Sequence, residues 1–348
     1  MLINAPLRWM LCTALLWAGF ATGSNAQYGL DYGFAIGTAN YLGDIGGDDL
    51  TRRDFSADLH LDATRLSTHA FVRYRFNPFF AVRGLIGTCF IEDDDALSSN
   101  IPRVSRNAHF RNFVNEFSLR SEVTLFSRPM ITRYTSKVRV GVSAYGIFGL
   151  TGVLHAPQAQ LDRNAAEFHF ERGTITTNPN QFDYDEWYDL RTFGTEKSSY
   201  GNGAMAFPLG AGVSFVLNNS LRIGADFVWN LTTTDHLDDV SFTWANPDDL
   251  SDIGVVLSSP TSVVTAENAG LENPEAAVGN FIYNGITDAP RGNPDKNDTY
   301  GTLQVSVSKV VMSSSNFRRN NYRSARKPSK RSRTRKGSSR MGRGRAKF

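Results

Sequence analysis

The chain has 348 residues, 41% of them hydrophobic and 20% charged, with two cysteines and six histidines. Two cysteines exclude a disulfide framework, because Cys12 falls inside an export signal and leaves Cys89 alone in the mature chain, where a lone thiol is inert packing. The net charge of +3 conceals a split: residues 313–348 hold fourteen of the 37 Lys and Arg and no acid, leaving 23 basic against 34 acidic residues elsewhere.

Residues 1–26 read as a secretory signal. Arg8 gives a positive start, Trp9 to Ala21 is an apolar run, and Ser24-Asn25-Ala26 is a small-residue cleavage site. That run is shorter than the about 20 residues a membrane-spanning helix needs, and no other segment approaches one. The mean hydropathy of −0.30 is mildly polar. It leaves a membrane barrel open, because alternating strands dilute the hydropathy signal.

Two-residue alternation then recurs along the chain. Tyr28, Leu30, Tyr32, Phe34 and Ile36 alternate with Gly29, Asp31, Gly33, Ala35 and Gly37. Ala70, Val72, Tyr74 and Phe76 oppose His69, Phe71, Arg73 and Arg75, and after Asn77-Pro78 the residues Phe80, Val82, Gly84 and Ile86 oppose Ala81, Arg83, Leu85 and Gly87. Phe113, Phe117, Leu119, Val123 and Leu125 share a face against Glu116, Arg120 and Glu122. Val138, Val140, Val142, Ala144 and Phe148 oppose Arg139, Ser143 and Tyr145. Leu209, Ala211, Val213, Phe215 and Leu217 lead through Asn218-Asn219-Ser220 into Leu221, Ile223, Ala225, Phe227, Trp229 and Leu231, opposite Arg222, Asp226 and Asn230. Leu303, Val305, Val307 and Val311 oppose Thr302, Gln304, Ser306 and Ser308, with Lys309 breaking parity where a long side chain can snorkel.

Eight runs result. Their charges fall on the non-apolar parity: Asp31, Arg73, Arg75, Arg83, Glu116, Arg120, Glu122, Arg139, Arg222 and Asp226. A soluble sandwich would hide the apolar face and wet the charged one. A membrane barrel turns the apolar face to lipid and pairs the charges across its lumen, and eight strands enclose a lumen that side chains fill. The links between runs alternate short and long, with long polar ones near 39–66, 91–111, 151–199 and 235–298, the asymmetry of periplasmic turns and outward loops. The expected architecture is therefore all-β: a signal at 1–26, a closed antiparallel eight-stranded transmembrane barrel at 27–312 with both termini in the periplasm, and a disordered basic tail at 313–348.

Several segments resemble, in order, the PorG-like barrel subunit of the type IX (Por) secretion system. They are Gly33-Phe34-Ala35-Ile36-Gly37 with Asn40-Tyr41-Leu42-Gly43-Asp44, Arg111 to Glu122, Tyr145 to Pro157, and Glu186-Trp187-Tyr188-Asp189-Leu190 with Gly194-Thr195-Glu196. Phe207 to Gly212, Arg291-Gly292 and Asp298-Thr299-Tyr300 follow the same pattern. The most specific piece, Thr234-Asp235-His236-Leu237-Asp238-Asp239-Val240-Ser241, is close to the family's TDYLDDVS. The chain departs from the family at Lys197-Ser198, where Gly-Gln is usual, and at His236, which replaces a tyrosine. The resemblance implies an outer-membrane component that docks the periplasmic PorK/PorN-like ring, aids export of proteins bearing a C-terminal sorting domain, and supports gliding motility where that exists.

The residues themselves give little sign of chemistry. Glu92-Asp93-Asp94-Asp95, Asp48-Asp49 and the acids of Asp235 to Asp239 offer oxygens for Ca²⁺ but lack the twelve-residue calcium-loop spacing, and they read first as solvated acids and loop caps. His60, His69, His109, His155, His169 and His236 are scattered and sit in no catalytic or paired metal motif. The expectation is a non-enzyme without cofactor or metal. In the tail, Arg318, Arg319, Arg323, Arg326, Lys327, Lys330, Arg331, Arg333, Arg335 and Lys336 form a polycation. On an exported protein its counter-surface is an acidic periplasmic partner, anionic lipid or peptidoglycan rather than nucleic acid. The alternative is a stand-alone porin or adhesin whose long loops bind an external ligand.

Overall fold

The structure is a computed structural model that describes residues 29–46, 62–77, 79–98, 101–130, 140–196, 199–217, 221–268, 270 and 291–311. Eight long strands carry the fold: β1 (Leu30–Leu42), β2 (Arg65–Arg75), β3 (Phe80–Asp94), β4 (His109–Met130), β5 (Val140–Leu154), β6 (Gly203–Leu217), β7 (Leu221–Thr232) and β8 (Thr299–Val311). Each pairs antiparallel with its neighbours in sequence, and β8 pairs with β1, so the sheet closes on itself. Closure removes both edges, which would otherwise expose unpaired backbone groups. The chain forms a closed antiparallel eight-stranded β-barrel.

Alternation sets the two faces. On β1, Phe34 and Ile36 are 73% and 59% exposed, while Asp31, Ala35 and Ala39 between and beside them are buried. The same holds around the ring, with Val72, Ile86, Leu119, Phe148, Leu209, Phe227 and Val305 exposed on an outer wall of large apolar side chains. Lys309 also points outward from the end of β8. Small residues let the inner wall close: a Cβ on Gly37 would lie 2.0 Å from the Leu303 carbonyl oxygen of β8. The parity expected from sequence holds for the described residues read on every strand, and β4 departs from simple alternation only past them. The alternation of β4 is broken by a register shift between Thr124 and Phe126, which leaves Leu125 and Phe126 both exposed. One inserted residue in a bulge flips the side-chain phase beyond it, and no period-2 reading carries across that.

The strands also run further than their apolar alternation. β3 continues through Asp94 and β4 begins at His109, because cross-strand pairing from Phe90↔Phe113 to Asp94↔His109 carries the hairpin past its apolar stretch. At that end the long links are folded. Helices α1 (Ile101–Arg106), α2 (Arg163–Glu171), α3 (Leu190–Phe193), α4 (Asp252–Ser258) and α5 (Val263–Asn268) lie in them. Asp162 caps α2 by accepting from the Ala165 N–H, and Ser251 caps α4 by accepting from the Gly254 N–H. Ala165, Ala166, Ile175, Leu190, Val255, Val256 and Leu257 share a small apolar core within this loop layer. Residues 1–26, Arg139 and the tail 313–348 lie outside the described residues, as do His60, Asp48 and Asp49.

Candidate functional site

The inward parity of eight strands builds a charged column. At the end with the short turns, Arg73 of β2 donates from Nη1 to Asp31 of β1 at 3.0 Å and from Nε to Glu122 of β4. Arg83 of β3 donates from Nε to the same Glu122 at 2.5 Å and from Nη1 to Asp226 of β7 at 2.7 Å. Tyr145 of β5 donates to the other Asp226 oxygen at 2.5 Å, and the Arg222 Nε lies 3.4 Å from Asp31. Arg73 and Arg83 also lie over the ring of Phe71. Arg73, Arg83, Glu122 and Asp226 are all at most 2% exposed, so each charge is held by a partner rather than by water.

Further along the lumen, Glu116 collects donors from three strands. Arg120 Nη2 lies 3.1 Å away, Tyr300 donates at 2.6 Å, and His69 Nε2 stands 2.9 Å from the carboxylate. The thiol of Cys89 is also within hydrogen-bonding distance at 3.4 Å. Of the ten lumen charges expected from sequence, eight are buried in these two clusters. Arg75 is half-buried at the rim with its Nε unpartnered, and Arg139 lies outside the described residues.

The loop end is closed by the segment Asp235–Ser241, which is buried throughout. Leu237 inserts into an apolar cluster with Tyr41, Cys89, Ile91, Phe110, Val114 and Tyr300, all from strands. Its N–H donates to Asp298, which also accepts from Tyr41 at 2.6 Å, while Asn112 Nδ2 donates to the Leu237 carbonyl. Asp238 accepts from the Val240 N–H at 2.9 Å and from the Ile45 N–H at 3.1 Å, tying two loops together. Asp239 adopts the left-handed backbone region (φ 73°) that Asp tolerates. It is held there by Thr195, by Tyr200 at 2.5 Å and by Arg291 at 3.0 Å. Glu196 accepts from the Ser241 and Phe242 N–H groups and lies 3.4 Å from Arg291. His236 stacks on Tyr200 with ring centroids 4.3 Å apart, and the His155 ring lies parallel to Tyr200 with centroids 6.2 Å apart.

Burial and the nearby Asp44 push the Asp238 carboxyl up to about 7. Burial lowers His155 to about 4 and raises Glu196, the latter against the pull of Arg291. The Glu92–Asp95 acids are engaged as well. Glu92 accepts from Arg65 Nε and Nη2, Asp93 and Asp94 accept from the N–H groups of Asp94 and Ala96, and Asp95 accepts from Gly46, Ala108 and Arg106. These oxygens serve as loop caps, the first of the two uses read from the sequence. Sequence reasoning missed Arg106 and named Tyr41, Tyr145 and Tyr300 only within longer segments, without their partners, because a polar partner inside a barrel is set by cross-strand register and not by spacing along the chain.

Comparison with solved structures finds low-scoring likenesses. One is Ail, the attachment invasion locus protein of Yersinia pestis, solved in complex with the heparin analogue sucrose octasulfate. It has 11% identity and a TM-score of 0.29, covering 83% of this chain and all of that one. Another is the CymD monoaromatic hydrocarbon channel, with 14% identity and a TM-score of 0.19, covering 63% of this chain and 47% of that one. No known family model matches the chain, and no curated protein sequence does.

Proposed function

We propose that the chain is a non-catalytic outer-membrane barrel that anchors the periplasmic PorK/PorN-like ring of a type IX secretion system. The membrane placement rests on the faces of the barrel. An exposed apolar outer wall is stable in acyl chains and costly in water, while the charges are sealed within. A lumen packed with paired side chains suits a rigid anchor better than a pore.

One observation carries the secretion reading. The segments that resemble the PorG-like family are scattered along the chain, yet polar residues from several of them converge on one cap. Tyr41 comes from the end of β1 and Asp44 from the first loop, Thr195 and Glu196 from the third, and Asp235–Ser241 with Arg291 and Asp298 from the fourth. A constellation drawn together from so many family-like pieces is harder to reach by chance than any one of them. With an even strand number both termini leave on the short-turn side, which the reading places in the periplasm, where the basic tail meets the ring, anionic lipid or peptidoglycan. Cross-linking in intact cells followed by purification of the barrel tests it: stoichiometric periplasmic ring proteins are expected, and a barrel that purifies alone would refute it. A second reading, an adhesin, draws on the folded loop layer, which exposes Phe170, Phe242 and Val264. Under that reading, loop deletion abolishes surface binding and leaves secretion intact.

A further inference from the structure

We propose that His69, Cys89 and Glu116 form a binding site for a zinc-class divalent cation inside the barrel. The inference is independent of the secretion reading. Among the described residues these three bring their ligand atoms within 4.8 Å of one another, and all three are buried.

Strand register makes the site. Gly87 of β3 pairs with His69 of β2 on one side and with Glu116 of β4 on the other. Having no side chain, Gly87 leaves open the volume in which its two neighbours meet: a Cβ there would lie 2.4 Å from His69 Cδ2. Cys89, two residues on, projects from the same inward parity. The shortest approaches are 2.9 Å from His69 Nε2 to Glu116 Oε2, 3.4 Å from Cys89 Sγ to the other carboxylate oxygen, Oε1, and 3.9 Å from Cys89 Sγ to His69 Nε2. Zinc bonds of about 2.0–2.3 Å in a tetrahedron span ligand edges of roughly 3.3–3.6 Å, so with one atom from each side chain inside 4.8 Å, rotation of the Glu116 carboxylate and the His69 ring toward Cys89 seats the ion. One thiolate, one imidazole and one carboxylate form a donor set that suits zinc rather than Mg²⁺ or Ca²⁺.

The surroundings hold the ligands in place. Tyr300 and Arg120 fix the Glu116 carboxylate, and the Gln304 amide lies 2.6 Å from His69 Nδ1. With the amide turned so that Oε1 faces His69, Nδ1–H donates to it and the Nε2 lone pair is free for the metal. On binding, the Cys89 thiol loses its proton to solvent and its sulfur takes the cation. The His69 ring, whose Nε2–H faces Glu116 before the metal binds, carries its proton on Nδ1 instead, and Glu116 is a carboxylate throughout. One proton therefore leaves per metal bound.

The test is to refold the full mature chain into detergent with Co²⁺, whose thiolate charge-transfer absorption reports a sulfur ligand. A single equivalent of cobalt that survives gel filtration, with that absorption present and lost on addition of Zn²⁺, is the expected result. Cys89→Ser should remove the absorption while retaining the heat-dependent gel shift of a folded barrel. If Cys89→Ser does not fold, the wild-type spectrum decides. Folded wild-type protein that binds no metal, or binds it without thiolate absorption, overturns the proposal.

Discussion

Replacing Arg83 with Met removes one guanidinium from the centre of the lumen and leaves a side chain of the right general shape. Its two anionic partners then fare differently. Glu122 keeps Arg73 at 2.9 Å, whereas Asp226 keeps only the Tyr145 hydroxyl as a direct partner at hydrogen-bonding distance. Breaking a buried pair by removing one partner costs about 3–5 kcal/mol, chiefly because the other charge is left uncompensated, and Asp226 at 1% exposure cannot turn to water. Arg83→Met should therefore destabilise the barrel by that amount in urea titration of detergent-refolded protein, followed by tryptophan fluorescence and the gel shift. Adding Asp226→Asn removes the orphaned charge while leaving an oxygen for Tyr145. The double variant should recover most of the loss, with a coupling energy at the upper end of the roughly 0.5–3 kcal/mol seen for contacting residues. A loss below about 1 kcal/mol, or strict additivity, would mean that water solvates these charges and the lumen is not sealed.

Three further outcomes follow from the same structure. Phe34→Arg, at the most exposed apolar position of β1, should weaken insertion into lipid vesicles by about 2–4 kcal/mol, read from the same denaturant titration in a bilayer. The loop cap should loosen as pH rises. Asp238 is raised from the ordinary carboxyl value to about 7, so its contribution is fully present below about 4, where even the unfolded group is protonated, and is lost as pH passes through 7. Hydrogen exchange at the Ile45 and Val240 amides, corrected for intrinsic rate, should show protection falling across that window; constant protection would show that Asp238 is not buried beside Asp44. In planar bilayers the wild-type barrel should pass little current, while Leu237→Gly, which unplugs the loop end of the lumen, should raise conductance only together with Arg83→Met.

Much of the barrel was legible because the physics that makes it is local. Period-2 alternation in Tyr32-Gly33-Phe34-Ala35-Ile36 needs no knowledge of the partner strand to state which side is outward, and charges on the opposite parity decide between lipid and water. The bulge at Thr124–Phe126 was not legible, since nothing in Val123-Thr124-Leu125-Phe126 announces an extra residue. The folded loop layer escaped for a related reason: helices such as Asp252–Ser258 are short, and their apolar residues find a core only against other loops. The site was half visible. The charged lumen residues stood out by parity, but the pairing of Arg83 with Asp226 across 143 residues is a property of closure. The sequence marks Asp238 as a loop cap, and it also bonds the Ile45 amide of a distant loop. Cys89 read as inert packing because its neighbours His69 and Glu116 lie on other strands.

The central claim is that large apolar side chains meet acyl chains while the ionic ones are enclosed. Photolabelling the barrel in vesicles with a diazirine carried on a lipid tail, followed by peptide mapping, tests this directly. Adducts are expected at Phe34, Ile36, Leu119 and Val305, and none at Asp31, Arg83, Glu122 or Asp226. A mature chain that stays soluble without detergent and takes no lipid adducts, or arginines in the lumen that react readily with a water-borne reagent, would contradict the account.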